Sequence, residues 1–362
     1  MWCILAAGLL AGGCNSGGTP VRDAGRDAPS DDIGTTDDAG DASSASDGAG
    51  DGGSGDAPDA AAMITYALLV TETPPGPYIA MSNWAGVRRY TVAGLGAPLT
   101  AATGIDKGAV HDPESVLYRA ASSEVFVGNR HGGNAADGMP GSVSRFIHDR
   151  AAGTFTPNGA ITGNALSIVG QMALHPTSGE LFVADFYIGG SGPAVSRFTL
   201  DAAGATTANG TIGDGATQGL LISPDGKRLY LTSGGARSNV IRQFDLATGN
   251  KLADFTVGDA RSLFWMAWFD GEIYVGDLDG NKVFRLSVDA ASDELTVHDS
   301  FAADGPVSIA FSPDGMEMFT SGHLTSSLID RFSYDAAGKT WTKTAMIDTT
   351  ESLGGLITIP AM

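Results

Sequence analysis

The sequence predicts an all-β fold, a β-propeller of six blades, and three observations carry that expectation. Five segments read like one another: 124–129 (EVFVGN), 180–185 (ELFVAD), 228–233 (RLYLTS), 272–277 (EIYVGD) and 317–322 (EMFTSG). They recur every ~44 to 56 residues, a period typical of a radial array of small sheets. A second series follows each of them, or its expected place: 87–90 (VRRY), 143–146 (VSRF), 195–198 (VSRF), 241–244 (IRQF), 283–286 (VFRL) and 329–332 (IDRF). Third, the tail 354–360 (GGLITIP) matches 218–224 (QGLLISP), and no partner strand follows it in the chain.

Within both series apolar and aromatic residues alternate, as half-buried strands require. Ser223-Pro-Asp-Gly226 and Ser312-Pro-Asp-Gly315 are turns between a first and a second strand: proline presets φ and glycine takes positive φ. Asp245, Asp289 and Asp335 open the next turns. Each unit thus reads as four strands that cannot bury both faces alone. The tail is expected to pair with the N-terminal unit between Thr65 and Thr103, which removes the open sheet edge. Residues 67–71 and 79–83 both fit a second strand of that unit; serving different blades, they would make the count seven.

Composition divides the chain of 362 residues into 1–14, 15–62 and 63–362. The short apolar run Ile4–Leu10 precedes Ala11-Gly12-Gly13-Cys14 and is too short to span a bilayer. Small residues before a cleavage point mark an export signal. Residues 15–62 hold eleven Asp, no Glu, no Lys and two Arg, with almost no large apolar side chains. Such a segment cannot offset its ordering entropy and reads as a disordered, self-repelling spacer with an end-to-end distance of ~40 Å. The body of ~300 residues is long enough to bury a core as one domain. Both cysteines, Cys3 and Cys14, lie ahead of it, so it has no disulfide and no thiolate site. A net charge of −20 without a basic stripe argues against nucleic acid as a partner.

The small-small-Cys ending resembles a bacterial lipoprotein signal. The resemblance implies lipidation of Cys14, a membrane partner through that anchor, and a place in the bacterial cell envelope, at the outer membrane because Asn15 follows. An ordinary secretory signal with an incidental Cys is the other reading. The segments SPDGKRLYLTS (223–233) and GELFVADFYIG (179–189) resemble the YVTN and NHL-type β-propellers, and through them the lactonase-like propeller proteins, over about residue 64 to the end. These motifs specify fold far better than chemistry.

In a propeller, the loops after second strands and those entering each blade share one face, the usual ligand face. His111, Asp112 and Glu114 fall on one such entrance, and Asn129, Arg130 and His131 on the facing loop. Gln171, Asp185, Arg261, Asp277 and His323 take equivalent places. His148 and His175 are placed on turns of the opposite face, and His298 in an outer strand. The sharpest constellation is His111, Asp112, Glu114, Arg130 and His131. His111 or Glu114 could serve as base with Arg130 holding an anion; His111, Glu114 and His131 could bind a divalent metal; or the residues simply pair and order two loops. No cofactor is expected on sequence grounds. Trp84 and Trp265 could line a site or wedge between blades, and the recurrent strand arginines read as ion-pair partners between blades.

Two functions of different kind follow. One is a tethered binding module for a protein, glycan or envelope component, acting as a monomer. The other is a lactonase-like hydrolase of a small sugar lactone; a metal- or redox-cofactor propeller is a third.

Overall fold

The computed structural model describes residues 66–73, 86–130, 141–163, 166–186, 192–201, 205–233, 238–289, 292–322, 326–349 and 352–360. The expectations for the signal, Cys14 and the spacer lie outside them, as do those for Trp84, His131 and His323. Twenty-four strands among the described residues form six four-stranded antiparallel sheets. The six-blade count therefore holds and the seven-blade alternative does not.

Blade one contains β1 (Tyr66–Thr73), β2 (Val87–Val92) and β3 (Thr100–Ile105). Blade two is β4 (Pro113–Arg119), β5 (Glu124–Asn129), β6 (Ser142–Asp149) and β7 (Thr154–Ile161). Blade three is β8 (Val169–Leu174), β9 (Leu181–Asp185), β10 (Pro193–Leu200) and β11 (Thr206–Asp214). Blade four is β12 (Thr217–Ile222), β13 (Arg228–Ser233), β14 (Val240–Asp245) and β15 (Phe255–Thr256). Blade five is β16 (Leu263–Phe269), β17 (Glu272–Asp277), β18 (Lys282–Val288) and β19 (Leu295–Ala302). Blade six is β20 (Ser308–Phe311), β21 (Glu317–Ser321), β22 (Leu328–Asp335) and β23 (Thr340–Asp348).

The tail strand β24 (Ser352–Pro360) is the innermost strand of blade one, in the order β24-β1-β2-β3. It pairs antiparallel with β1, Tyr66 facing Pro360 and Val70 facing Leu356. The innermost strands touch in ring order β4, β8, β12, β16, β20, β24 and back to β4. Buried side chains fill each gap between blades. Tyr66, Leu68 and Val70 of blade one pack with Ala310, Phe319 and Ile329 of blade six. Leu69 and Val87 pack with Val116, Val125 and Phe146 of blade two.

The repeat motif has a physical reading at three positions. Its fifth residue is small or hydroxylated because the next blade's first strand lies against it. Thr71 donates to the Glu114 carbonyl at 3.1 Å, Thr232 to that of Phe264 at 2.8 Å and Ser321 to that of Gly354 at 2.6 Å. In blade five the residue is Gly276, where a Cβ would sit 2.3 Å from the Pro306 carbonyl oxygen. At the first position, Glu124, Glu180, Glu272 and Glu317 meet the third-strand arginines Arg145, Arg197, Arg285 and Arg331 at 2.5, 2.7, 3.5 and 2.6 Å. These pairs lie within a blade rather than between blades, which corrects the sequence reading. The reach to the next blade comes from the remaining guanidinium N–H groups: Arg285 donates to the Lys339 carbonyl and Arg331 to that of Ala97.

The SPDG turns form as expected. Ser223 Oγ accepts the N–H groups of Lys227 and Arg228, and Gly226 takes φ 73°. A Cβ there would also strike the His175 ring at 2.6 Å, so both backbone and neighbour demand glycine.

The closing seam converges on Glu317. Besides its pair with Arg331, it accepts the Tyr66 hydroxyl at 2.5 Å and the Gly96 N–H at 3.1 Å, both from blade one. Replacing it removes one carboxylate and strands two buried donors, Tyr66 and Arg331, besides the Gly96 N–H. Glu317→Ala is expected to cost about 3–5 kcal/mol, read as a lower urea midpoint at unchanged m-value.

Candidate functional site

The motif's sixth residue decides how much of the loop face is free for chemistry. Asn129 accepts the His111 N–H at 3.0 Å through Oδ1, while its Nδ2 donates to Ser142 and Ser144 Oγ at 3.1 and 2.9 Å. Asp185 accepts the N–H groups of Ser167 and Ile168 at 3.1 and 3.2 Å. Asp277 accepts those of Arg261 and Ser262 at 3.0 and 2.7 Å, and that of Gly280 at 3.2 Å. Each of these side chains therefore ties the loop entering its own blade to the end of the second strand. The Asp-Leu-Asp-Gly-Asn stretch at 277–281 is a hairpin turn with Asn281 at φ 52°.

Two further side chains occupy the axis. Gln171 of blade three donates to the Met266 carbonyl at 2.6 Å and accepts the N–H groups of Leu220 and Met266 at 2.9 and 3.0 Å, so it reaches blades four and five. Trp265, 4% exposed, extends from blade five to the tail strand. A Cβ on Gly355 would lie 2.6 Å from its ring, so the glycine makes room for the indole. Trp265 is thus a central plug rather than a wedge between blades.

The constellation predicted at the entrance of blade two divides. Glu114 and Arg130 are buried and paired, Nη1 to Oε2 at 3.5 Å. Asp112 is 4% exposed with φ 50°, and its carbonyl accepts the Arg130 N–H at 2.9 Å. Its Oδ2 is buried without a hydrogen-bond partner. Burial, then the Glu114 charge, push the Asp112 carboxyl up to about 7, against the pull of Arg130. Asp112 is the group in this cluster poised to exchange a proton near neutrality. His111 instead is exposed and lines a rim cleft of about 610 Å³ with Ala109, Ser142, Ser144, Phe146 and Pro157. Arg261 is exposed as well. Among the described residues, no group of three or more His, Cys, Asp and Glu is arranged to hold a metal ion.

Sequence reasoning placed His148 on a turn; it is the penultimate residue of β6 and is buried. The signal was present in its spacing: Ser142, Ser144, Phe146 and His148 share one face of a strand. The rim cleft was missed because its lining is mostly ordinary strand residues.

No family model and no curated protein matches this chain. Among solved structures, one described as a candidate 6-phosphogluconolactonase from Bacteroides fragilis aligns with TM-score 0.60 and 14% identity, covering 84% of this chain and 100% of that one. The periplasmic gluconolactonase of Pseudomonas aeruginosa aligns with TM-score 0.61 and 16% identity, covering 82% and 100%. A chain of the nidogen/laminin complex aligns with TM-score 0.58 and 12% identity, with the same coverages. At such identities the likeness is one of fold: a six-bladed propeller with lactonase-like structural neighbours.

Asp185 gives a pH test of the loop clasps. Burial, partly offset by its two backbone N–H donors, raises its carboxyl from 3.8 to about 7. A raised folded-state value contributes stability in full below pH ~4 that is lost as the pH rises through ~7. Asp185→Asn keeps an acceptor for Ser167 and Ile168, as Asn129 does in blade two. The variant is expected to flatten the fall in Tm between pH 4 and 8 and to gain on the order of 1–3 kcal/mol at pH 8. Thermal unfolding across that range checks it.

Proposed function

We propose that this chain is a tethered extracytoplasmic binding propeller, held at the cell envelope by lipid on Cys14 and presenting its loop face to a protein, glycan or envelope component. The observation that carries this reading is the use of Asn129, Asp185 and Asp277 as loop clasps. Their engagement orders the loops entering blades two, three and five, on which His111 and Arg261 are exposed. Entrance loops already ordered in this way favour recognition because they lose little entropy on binding. The acidic spacer at 15–62 would hold that face away from the membrane.

One observation favours a second reading, a lactone hydrolase. Asp112, pushed up to about 7, sits beside the Glu114–Arg130 pair. An ionised Asp112 could take a proton from water attacking a lactone carbonyl, and Arg130 could hold the anionic end of the substrate. In this reading Asp112 is a better base than Glu114, whose carboxylate is tied to Arg130. His111, facing the rim cleft, would bind rather than abstract.

The two separate in one experiment. The immobilised chain is tested for retention of envelope glycans and cell-wall fragments, and the same preparation for hydrolysis of glucono-δ-lactone and of its anionic 6-phosphate in a pH-stat. The binding reading expects retention that falls on combined His111→Ala and Arg261→Ala substitution, with no lactone turnover. Turnover that disappears in Asp112→Asn would replace it with the hydrolase.

A further inference from the structure

The repeat builds the same Glu–Arg ion pair in blades two, three, five and six, and blade one keeps the arginine without the glutamate. Arg89 stands opposite Leu69, as Arg145 stands opposite Phe126, Arg197 opposite Phe182, Arg285 opposite Tyr274 and Arg331 opposite Phe319. In those four blades the glutamate lies two residues before the partner of the arginine. In blade one that place holds Ala67. Blade four also departs, with Arg228 at the glutamate position and Gln243 at that of the arginine. There Arg228 finds Asp245 at 2.8 Å and Asp293 at 2.5 Å, so its charge is answered.

Arg89 is not answered. It is 7% exposed, its Nε is buried without an acceptor, and no carboxylate among the described residues pairs with it. Burial pulls its ionisation below the usual arginine range. Its terminal nitrogens lie against the β6–β7 turn, 2.8 Å from where a Cβ on Gly153 would be, and its guanidinium stands over the Phe155 ring at 5.9 Å.

Across the same gap lies His148, 3% exposed, stacked on Phe155 at 4.8 Å with the Tyr118 ring edge-on at 6.3 Å. Both of its ring nitrogens are buried without partners. An imidazole with two unsatisfied nitrogens beside an unanswered guanidinium is costly, because buried polar groups are otherwise almost always paired. The neighbouring charges do not relieve it. Arg150 donates to the Tyr118 hydroxyl and the Ala120 carbonyl, and Asp149 accepts the N–H groups of Ala151 and Ala152 from its own turn. His148 follows Ser142, Ser144 and Phe146 on one face of β6, and those three residues line the rim cleft.

We propose that Arg89 and His148 form a binding site for a small carboxylate, the group the repeat supplies from its own glutamate in other blades. The guanidinium fork suits two carboxylate oxygens, and a His148 N–H adds a third donor. Glutamate exceeds alanine by the atoms of acetate, so acetate is the natural probe: it restores to blade one the fragment that Ala67 lacks.

The test uses the full chain at constant ionic strength, with acetate exchanged for chloride, read by titration calorimetry and thermal unfolding. Wild type is expected to bind acetate at one site and to gain Tm saturably. Ala67→Glu is expected to show a higher Tm in chloride and no acetate response. Arg89→Met is expected to weaken acetate at least about tenfold, the loss of one bidentate charged contact, and it decides the matter should Ala67→Glu not fold. Equal behaviour of wild type in acetate and chloride would overturn the site. So would an undiminished acetate response in Arg89→Met, or saturable binding of inorganic phosphate where acetate has none.

Discussion

Ring closure is the constraint on which everything else depends. A four-stranded sheet with two apolar faces has nowhere to put either of them unless a neighbour stands on both sides. Chain connectivity supplies that neighbour for adjacent blades two to six, but between the last blade and the first it must be built. The chain does so by lending its final strand to its first blade, Leu356 against Val70 and Ile359 against Ala67. Glu317 then joins β21 to Tyr66 and Gly96, and Ser321 ties blade six to Gly354. The cost is topological. Tyr66 and Pro360 pair across nearly the whole length of the body, and such long-range pairing makes folding slow.

The same closure explains why Asn129, Asp185 and Asp277 are engaged in structure rather than free for chemistry. Six innermost strands meeting around an axis bring backbone to within contact of backbone, hence the small residues Gly128, Ala184 and Gly276 at the fifth motif position. One step later the chain must leave the blade, and the incoming loop of that blade presents unpaired N–H groups beside it. A carboxylate or amide there answers them. Asp185 and Asp277 are therefore consequences of the architecture, and Asp185 carries the electrostatic burden of that service as a raised carboxyl.

This distinction marks the limit of what the sequence discloses. Strand order, blade count, turn residues and the seam were legible because each rests on a local period or on a residue whose backbone demands are specific, such as Gly226. Blade one was blurred because its second strand has Ala67 and Leu69 where the other second strands carry a charged residue and an aromatic. Site residues were less legible for a different reason. An aspartate that accepts loop N–H groups and one that faces a ligand have the same letters around them, and only the direction of the side chain separates Asp277 from a metal ligand. His111 and Glu114 sit three residues apart, yet one faces a rim cleft and the other is buried against Arg130.

A repeat protein offers its own control for every residue, which sharpens the search for function. A side chain required by the architecture recurs with its partner; a side chain kept without its partner is held for another reason or is being lost. Gln171 and Trp265 depart from the repeat, but each completes the axis it fills. Arg228 departs too, and two aspartates answer it. Arg89 keeps the repeat's arginine, its burial and its contact with the following blade's turn, and has given up only the acceptor. Local rules broken with no compensating gain are where function is expected. The neighbouring His148, whose two ring nitrogens are likewise buried without partners, adds a second unmet polar group in the gap between blades one and two.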